Sequence, residues 1–546
     1  MATPTILPGQ LRLIVAIAAV HIVAWYAYLS HIPLGLYPTA QEIEVIENAF
    51  SLAEGSANAG DSNTVYELLL SIPARFVSSA SELVFVARFI NALALILATT
   101  IIAHATGQYW KRNRPIWIAG LLTGLNPVLV FWSAEVSPTL LAVLLTSLGF
   151  AFLLRWLRHP SPQRSLIIGL LVCLVIALER SMLLFALIWP ATAWLYPNRR
   201  RAYHLGAALV FPVMGLLFYT AFSLQFPGIE GNNAASIGRG IYEVFNNHEA
   251  YDGKSYGLHR QLNLFLFLNP IHWGLIFILA VAGAYIRVKN GHKGNSIAVL
   301  LVCLGTFALS YAIGDTGSQT RALLYPILAI FAGGISMMPH VWRHAGKLTQ
   351  RKIILGLLLV AGLCYSDFYD ARDPSNWEAD YTYLAEANLA LERNQSAAEW
   401  AEKTLALNPE REDMRSVILH AEFRDWALSP SPSPISRETA MLHLEAARQA
   451  NYDAPNTRAI EALYLFKLRE TEKAIELWKQ VSERSALALI CLYWTGNSDK
   501  PEPNQIQAYS GTPYFDLLKR TTDINRNALA YSEGEETLDN MLAFAH

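Results

Sequence analysis

Residues 83–103 read LVFVARFINALALILATTIIA, 21 positions carrying one charge, Arg88. A helix of about 20 mostly apolar residues crosses the hydrocarbon core of a bilayer, and no other backbone form satisfies its own polar groups there without closing a barrel. Comparable runs cover residues 11–30, 116–132, 138–157, 166–177, 182–195, 205–226, 272–286, 297–313, 322–338 and 353–365. The expectation is an all-α polytopic membrane bundle with about eleven spans. The first run is too long for the apolar stretch of a signal peptide and reads as a retained anchor. Charged residues are 16% of the chain, hydrophobic ones 53%, and the mean hydropathy is +0.27. These values exclude a soluble enzyme, a disordered protein and a nucleic-acid binder. The four cysteines include no CxxC and no His/Cys metal spacing, so neither a disulfide framework nor a metal motif is expected.

Charge divides the chain in two. Up to Ser366 there are 24 Lys+Arg and 14 Asp+Glu; beyond it there are 18 and 30. A hydrophobic basic domain (1–366) therefore precedes a polar acidic one (367–546). With the N-terminus in the cytoplasm, the cytoplasmic loops hold Lys111, Arg112, Arg114, Arg155, Arg158, Arg164 and Arg199–Arg201. They also hold Arg287, Lys289, Lys293, Arg343, Lys347, Arg351 and Lys352, and no acid. The positive-inside rule selects this orientation, and an odd number of spans places the acidic tail outside a plasma (inner) membrane. Two outer loops are long, 31–82 and 227–270, and long loops in a compact membrane protein carry function. The first holds two amphipathic stretches, 41–52 and 64–77, suited to the membrane surface.

The tail reads as helical hairpins. Tyr381, Leu384, Ala385, Ala397, Ala401 and Pro409 fit a tetratricopeptide repeat, and Ala462, Leu465, Ala474 and Trp478 fit a second copy. A Ser-Pro run, 429–434, separates them as a linker. The plainer reading is an irregular helical domain without true repeats.

Chemistry-bearing residues cluster on the outer side. On a helix starting at Thr39, Glu42 shares a face with Ile46, Ala49 and Phe50, while Glu44, Glu47 and Asn48 point away. A carboxylate on an apolar face near the membrane is a functional candidate, and here it would serve as base for an incoming hydroxyl. Its plainer role is an acid favoured by the helix N-terminus. Glu135 sits in the turn 133–138 between two spans, either facing Glu42 as a second acid or metal ligand, or as a solvated loop acid. The second loop contributes His248, Glu249, Tyr251, Asp252 and His259, which read as a solvated polar loop before a ligand cluster. No P-loop or GxGxxG supports a nucleotide-sugar donor.

The segment around Glu42, then Asn126-Pro127 followed by Ser133, Glu135 and Pro138, resembles the membrane GT-C-type glycosyltransferases that use polyprenyl-phosphate-linked sugars, such as protein mannosyltransferases and aminoarabinose transferases. SELVFVARFINALALILA with Arg88, ALERSMLLFALIWP with Arg180, and DTGSQTRALLYPILAIFAG with Arg321, Tyr325 and Pro326 extend the resemblance over roughly residues 10–345. It implies transfer of a sugar from a polyprenyl-phosphate carrier to an acceptor hydroxyl on the extracytoplasmic face. Glu42 would be the base and Glu135 would assist it or bind a metal. Arg180, Arg321 and Arg88, with Tyr325, would hold the lipid phosphate; snorkelling to lipid headgroups is the plainer role for these arginines. A divalent metal is left open, since no ligand motif names one. Membrane lipids surround the bundle, and a protein or glycan acceptor would dock on the helical tail. The chain departs from the family at Gln41, where an Asp precedes the Glu, and at Val45, Ser137 and Thr139, which replace Tyr, Arg and Tyr. Gln41 keeps two rivals open: a non-catalytic membrane scaffold recruiting envelope-assembly partners through its repeats, and an O-antigen-type ligase or polymerase.

Overall fold

The computed structural model describes residues 8–55, 65–156, 161–179, 242–249, 254–289, 318–366, 377–391, 393–428, 455–467, 470–499 and 501–508, with isolated positions between them. Every regular element among these residues is helical. The chain divides into two compact units, Met1–Asp373 and Pro374–His546, close to the boundary that charge and hydropathy mark at 366/367.

Among the described residues of the first unit, five helices are long and apolar enough to cross a membrane: Gly9–Leu29, Ala80–Trp110, Thr139–Trp156, Gln319–His344 and Lys347–Tyr365. The run at 116–132, expected as a span, is covered by two helices, Arg114–Gly124 and Pro127–Ser133, bent by 46° at the break between them. The break has a local cause. Asn126 turns its side-chain oxygen onto the amides of Val128 (2.9 Å) and Leu129 (3.2 Å), and Pro127 starts a new helix because it has no amide to give the old one. The run at 166–177 lies in the shorter apolar helix Pro162–Leu178, and the run at 272–286 in Trp273–Lys289. The runs at 182–195, 205–226 and 297–313 fall outside the described residues.

The first nine helices are α1 (Pro8–Leu29), α2 (Pro33–Leu36), α3 (Ala40–Glu54), α4 (Val65–Ala74), α5 (Ala80–Trp110), α6 (Arg114–Gly124), α7 (Pro127–Ser133), α8 (Thr139–Trp156) and α9 (Pro162–Leu178). Both amphipathic stretches of the first loop are helices, α3 and α4. α3 buries Glu42, Ile46 and Ala49 and exposes Gln41, Glu44 and Glu47, the split that helical periodicity demands. α4 leaves Leu68, Leu69 and Ile72 uncovered, as do α1 at Val20 and Val23 and α5 at Phe85, Phe89 and Leu97. Such rows are a liability in water and suit contact with lipid.

Tyr26 of α1 shares its hydroxyl proton between the carbonyls of Arg88 (2.8 Å) and Ser133 (2.7 Å), tying α1 to α5 and to the end of α7. Farther along, Trp273–Lys289 crosses Tyr325–Ala332 at backbone contact: a Cβ on Gly283 would lie 1.9 Å from the Phe331 carbonyl oxygen. Only glycine fits there.

In the second unit, Glu378–Ala390 pairs with Asn394–Leu407, and Pro455–Lys467 pairs with Thr471–Val481. Ala385, Ala397 and Ala401 pack in one core, and Ala462, Ala474 and Trp478 in another. Small residues at these positions let the paired helices close up, and the Trp478 indole donates to the Ala459 carbonyl at 3.0 Å. The 429–434 linker lies outside the described residues.

Candidate functional site

The site begins at a helix cap. Thr39 precedes α3, and its hydroxyl accepts from the Glu42 amide at 3.3 Å, while Glu42 Oε2 accepts from the Thr39 amide at 2.8 Å. This reciprocal box fixes the Glu42 carboxylate at the first turn. Its other oxygen, Oε1, accepts from the Val136 amide at 2.9 Å, joining α3 to the turn after α7. That turn is held by α5, where Asn91 donates to the carbonyls of Glu135 (2.7 Å) and Ser137 (3.2 Å).

Lys254 lies between the two acids. Its Nζ is 3.2 Å from Glu42 Oε2 and 2.5 Å from Glu135 Oε2, and all three side chains are buried. Arg88 Nη2 stands 3.9 Å from Glu42 Oε1, and its Nη1 donates to the Gly35 carbonyl at 2.6 Å. The remaining oxygen of Glu135, Oε1, is buried with no hydrogen-bond partner among the described residues, and so are Nε and Nη2 of Arg88.

The two carboxylates differ in proton affinity. Burial alone would raise the Glu42 value. The positive charge of Lys254, then that of Arg88, and the Thr39 and Val136 amides outweigh it and hold Glu42 well below the usual carboxylate range. Burial raises Glu135 to about 7, and the adjacent Glu42 charge adds to the rise while Lys254 and Arg88 oppose it. A pair of acids driven apart in this way supplies a fixed anion and a group that exchanges a proton near neutral pH.

Of the residues singled out in the sequence, Glu42, Glu135 and Arg88 come together. Arg321 is engaged elsewhere. Its Nη1 donates to the carbonyls of Glu243 (2.8 Å) and Asn246 (2.6 Å), its Nη2 is 2.6 Å from Glu249 Oε1, and its guanidinium lies 4.7 Å from the Trp273 ring centre. Tyr325 is buried edge-on against Trp273, with ring centres 5.0 Å apart. Glu249, read from sequence as a loop acid, is a buried partner of Arg321, and His259 is buried with its ring 5.6 Å from that of Phe131. Arg180 lies outside the described residues. Among the described residues no three His, Cys, Asp or Glu side chains converge as metal ligands.

Two participants escaped the sequence reading. Thr39 and Glu42 have capping-box spacing, a signal visible without a structure. Lys254 is the one lysine up to Ser366 within the segments 31–82 and 227–270, which are expected as outer loops. No family model matches the chain, and neither a curated protein nor a solved structure matches it.

Proposed function

We propose that the chain is an integral membrane glycosyltransferase that moves a sugar from a polyprenyl-phosphate carrier to an acceptor hydroxyl on the extracytoplasmic face. The observation that carries this reading is the buried Glu42–Glu135 pair bridged by Lys254, in which Glu135 Oε1 has no hydrogen-bond partner among the described residues. The chain would cross the membrane about eleven times with its N-terminus in the cytoplasm, in the manner of the GT-C-type enzymes whose motifs it resembles.

The roles we assign rest on the electrostatics of the pair. A carboxylate held far below neutrality is a poor base, so Glu42 serves as the anchor that sets Lys254, Arg88 and the 134–138 turn in place. Glu135 is the base: its affinity near neutrality is the one suited to taking a proton at physiological pH. The acceptor oxygen attacks the anomeric carbon while its proton passes to Glu135 Oε1. The bond from that carbon to the phosphate oxygen breaks, and polyprenyl phosphate leaves with the electron pair. Arg88, with unused donors beside the acids, is suited to hold the leaving phosphate. Arg321, committed to Glu249 and two carbonyls, positions the second outer loop. The helical hairpins of the tail would form a tetratricopeptide-like groove for a protein or glycan acceptor.

A second reading has its own support. Lys254 compensates both carboxylates, and Gln41, where the resembling family has Asp, is exposed and outside the network. A scaffold that keeps a structural ion cluster would look the same at these positions. The test is release of polyprenyl phosphate by the full-length protein in lipid nanodiscs supplied with polyprenyl-phosphate hexoses and pentoses. The wild-type protein is expected to turn over, Glu135→Gln to lose about 10²–10⁴-fold in rate, and Glu44→Gln to be unchanged. Equal release by wild type and Glu135→Gln would remove Glu135 as base. No release from any donor would leave the scaffold.

A further inference from the structure

We infer that the end of the bundle opposite the carboxylate site carries a pocket for a phosphate-bearing anion, built between the α5–α6 turn and the segment 333–344. The cavity has a volume of about 720 Å³ and is lined by Arg112, Asn113, Arg114, Ser336, His340 and Arg343, together with Met337 and Pro339. Among the described residues no carboxylate lines it. The inference does not rest on the glycosyltransferase reading.

The positive-inside rule explains why arginines populate this side, but not why three converge on one concavity. Guanidinium groups stay charged at all accessible pH values, so three around a shared volume repel one another unless an anion sits among them. The forked donors of arginine match phosphate oxygens. A further feature adds to the field. α6 begins at Arg114 with Pro115 in its first turn and no side-chain cap from Asn113, leaving the positive helix end uncompensated. Asn113 Oδ1 is itself buried with no hydrogen-bond partner among the described residues. Turning that amide over presents two donors instead of an acceptor.

The walls are pre-formed. The Trp110 indole donates to the Ile330 carbonyl at 2.8 Å. A Cβ on Gly334 would lie 2.3 Å from the Trp110 ring, and one on Gly333 would lie 2.8 Å from the Pro115 carbonyl oxygen. The 3-10 turn Gly333–Met337 thus seats directly on the α5–α6 turn, fixing the spacing of Arg112 and Arg114 from Arg343. The backbone that carries the donors is thereby set before a ligand arrives, while the side chains of Arg112, Arg114 and Arg343 are exposed to solvent and close on it. The position, at the bundle end expected to face the cytoplasm, is where basic pockets between membrane helices take anionic headgroups.

The phosphate can come from an anionic phospholipid or from solution, and the experiment separates them. Full-length protein is placed in nanodiscs of phosphatidylcholine alone or with phosphatidylglycerol, and separately in detergent with inorganic phosphate or pyrophosphate. Retained lipid is read by native mass spectrometry and the thermal midpoint by fluorescence. Wild type is expected to retain phosphatidylglycerol through delipidation, and Arg112→Gln/Arg343→Gln to retain about tenfold less or lower still. Arg112→Lys/Arg343→Lys, which keeps the charges, is expected to retain more than the Gln pair and controls for folding. A midpoint raised by pyrophosphate in wild type but not in the Gln pair, without lipid retention, assigns the pocket to a soluble phosphate. Equal retention by wild type and the Gln pair overturns the inference. So does a wild type with neither retained phosphatidylglycerol nor a midpoint shift from either phosphate.

Discussion

Glu135→Gln is expected to separate stability from activity in opposite directions. In the folded protein this carboxyl is raised from 4.5 to about 7, chiefly by burial and by the neighbouring Glu42 charge. Between those two values the folded state keeps a proton that the unfolded chain releases. Stability therefore falls as pH rises through this window, and below it both states are protonated and no difference accrues. The span from 4.5 to about 7 is about 2.5 units, which at 1.36 kcal/mol each gives a loss of about 3 kcal/mol, complete above pH ~7. Glutamine keeps the shape, has no proton to lose and removes the repulsion with Glu42, while Lys254 retains its contact with Glu42 at 3.2 Å. Unfolding in detergent, followed from pH 5 to 9 for both proteins, should show a decline in wild type that Glu135→Gln lacks. The variant should then match or exceed wild type above neutrality, although transfer is lost. A variant less stable at pH 8 by the roughly 3–5 kcal/mol of a broken buried pair would refute the reasoning. It would mean that Glu135 is a settled anion held by Lys254.

Glu42→Gln should behave in the opposite way, losing about 3–5 kcal/mol at neutral pH because Lys254 and Arg88 lose their buried counter-charge. The wild-type contribution of Glu42, whose value is depressed, is present above about pH 4.5 and disappears as pH falls below it, which acid unfolding of the two proteins would reveal. Arg321→Gln should destabilise by a similar ~3–5 kcal/mol through the stranded Glu249, with Arg321→Gln/Glu249→Gln recovering most of the loss in the same unfolding assay. Gln41→Asp should leave transfer within about twofold of wild type, since the side chain is exposed and outside the ion network. A reporter fused after His546 should be active only in the extracytoplasmic compartment; activity only in the cytoplasm would overturn the orientation.

Periodicity and charge carried the reading of the fold a long way. The buried face of α3 follows from helical geometry alone, and so do the apolar spans around 11–30, 83–103 and 138–157. The break at Asn126-Pro127 was also written locally, as a cap followed by a proline, but the apolar count across it masks it. The site was half legible. Glu42 stood out as an acid on an apolar helix face, and Glu135 through the resemblance of the segment around it. Their partner did not, because Lys254 lies 212 residues from Glu42 and 119 from Glu135 in a polar loop without periodic pattern. Proton affinities were out of reach for the same reason: the difference between the two acids comes from burial and from charges supplied by distant segments. Arg321 shows the limit of motif spacing, since its position near a helix end fits a phosphate ligand and the fold gives it Glu249 instead.

The bridge made by Lys254 also sets a clock for synthesis. Glu42 and Glu135 leave the ribosome first, and the lysine that compensates them follows Glu135 by 119 residues. At about 5–20 residues per second, that interval is roughly 6–24 s. Through it, the nascent chain holds two acids with no Lys254 to close them. A chain stalled before residue 254 would carry both acids without this lysine, so arrival of the segment around Lys254 marks the moment at which the carboxylate pair can close.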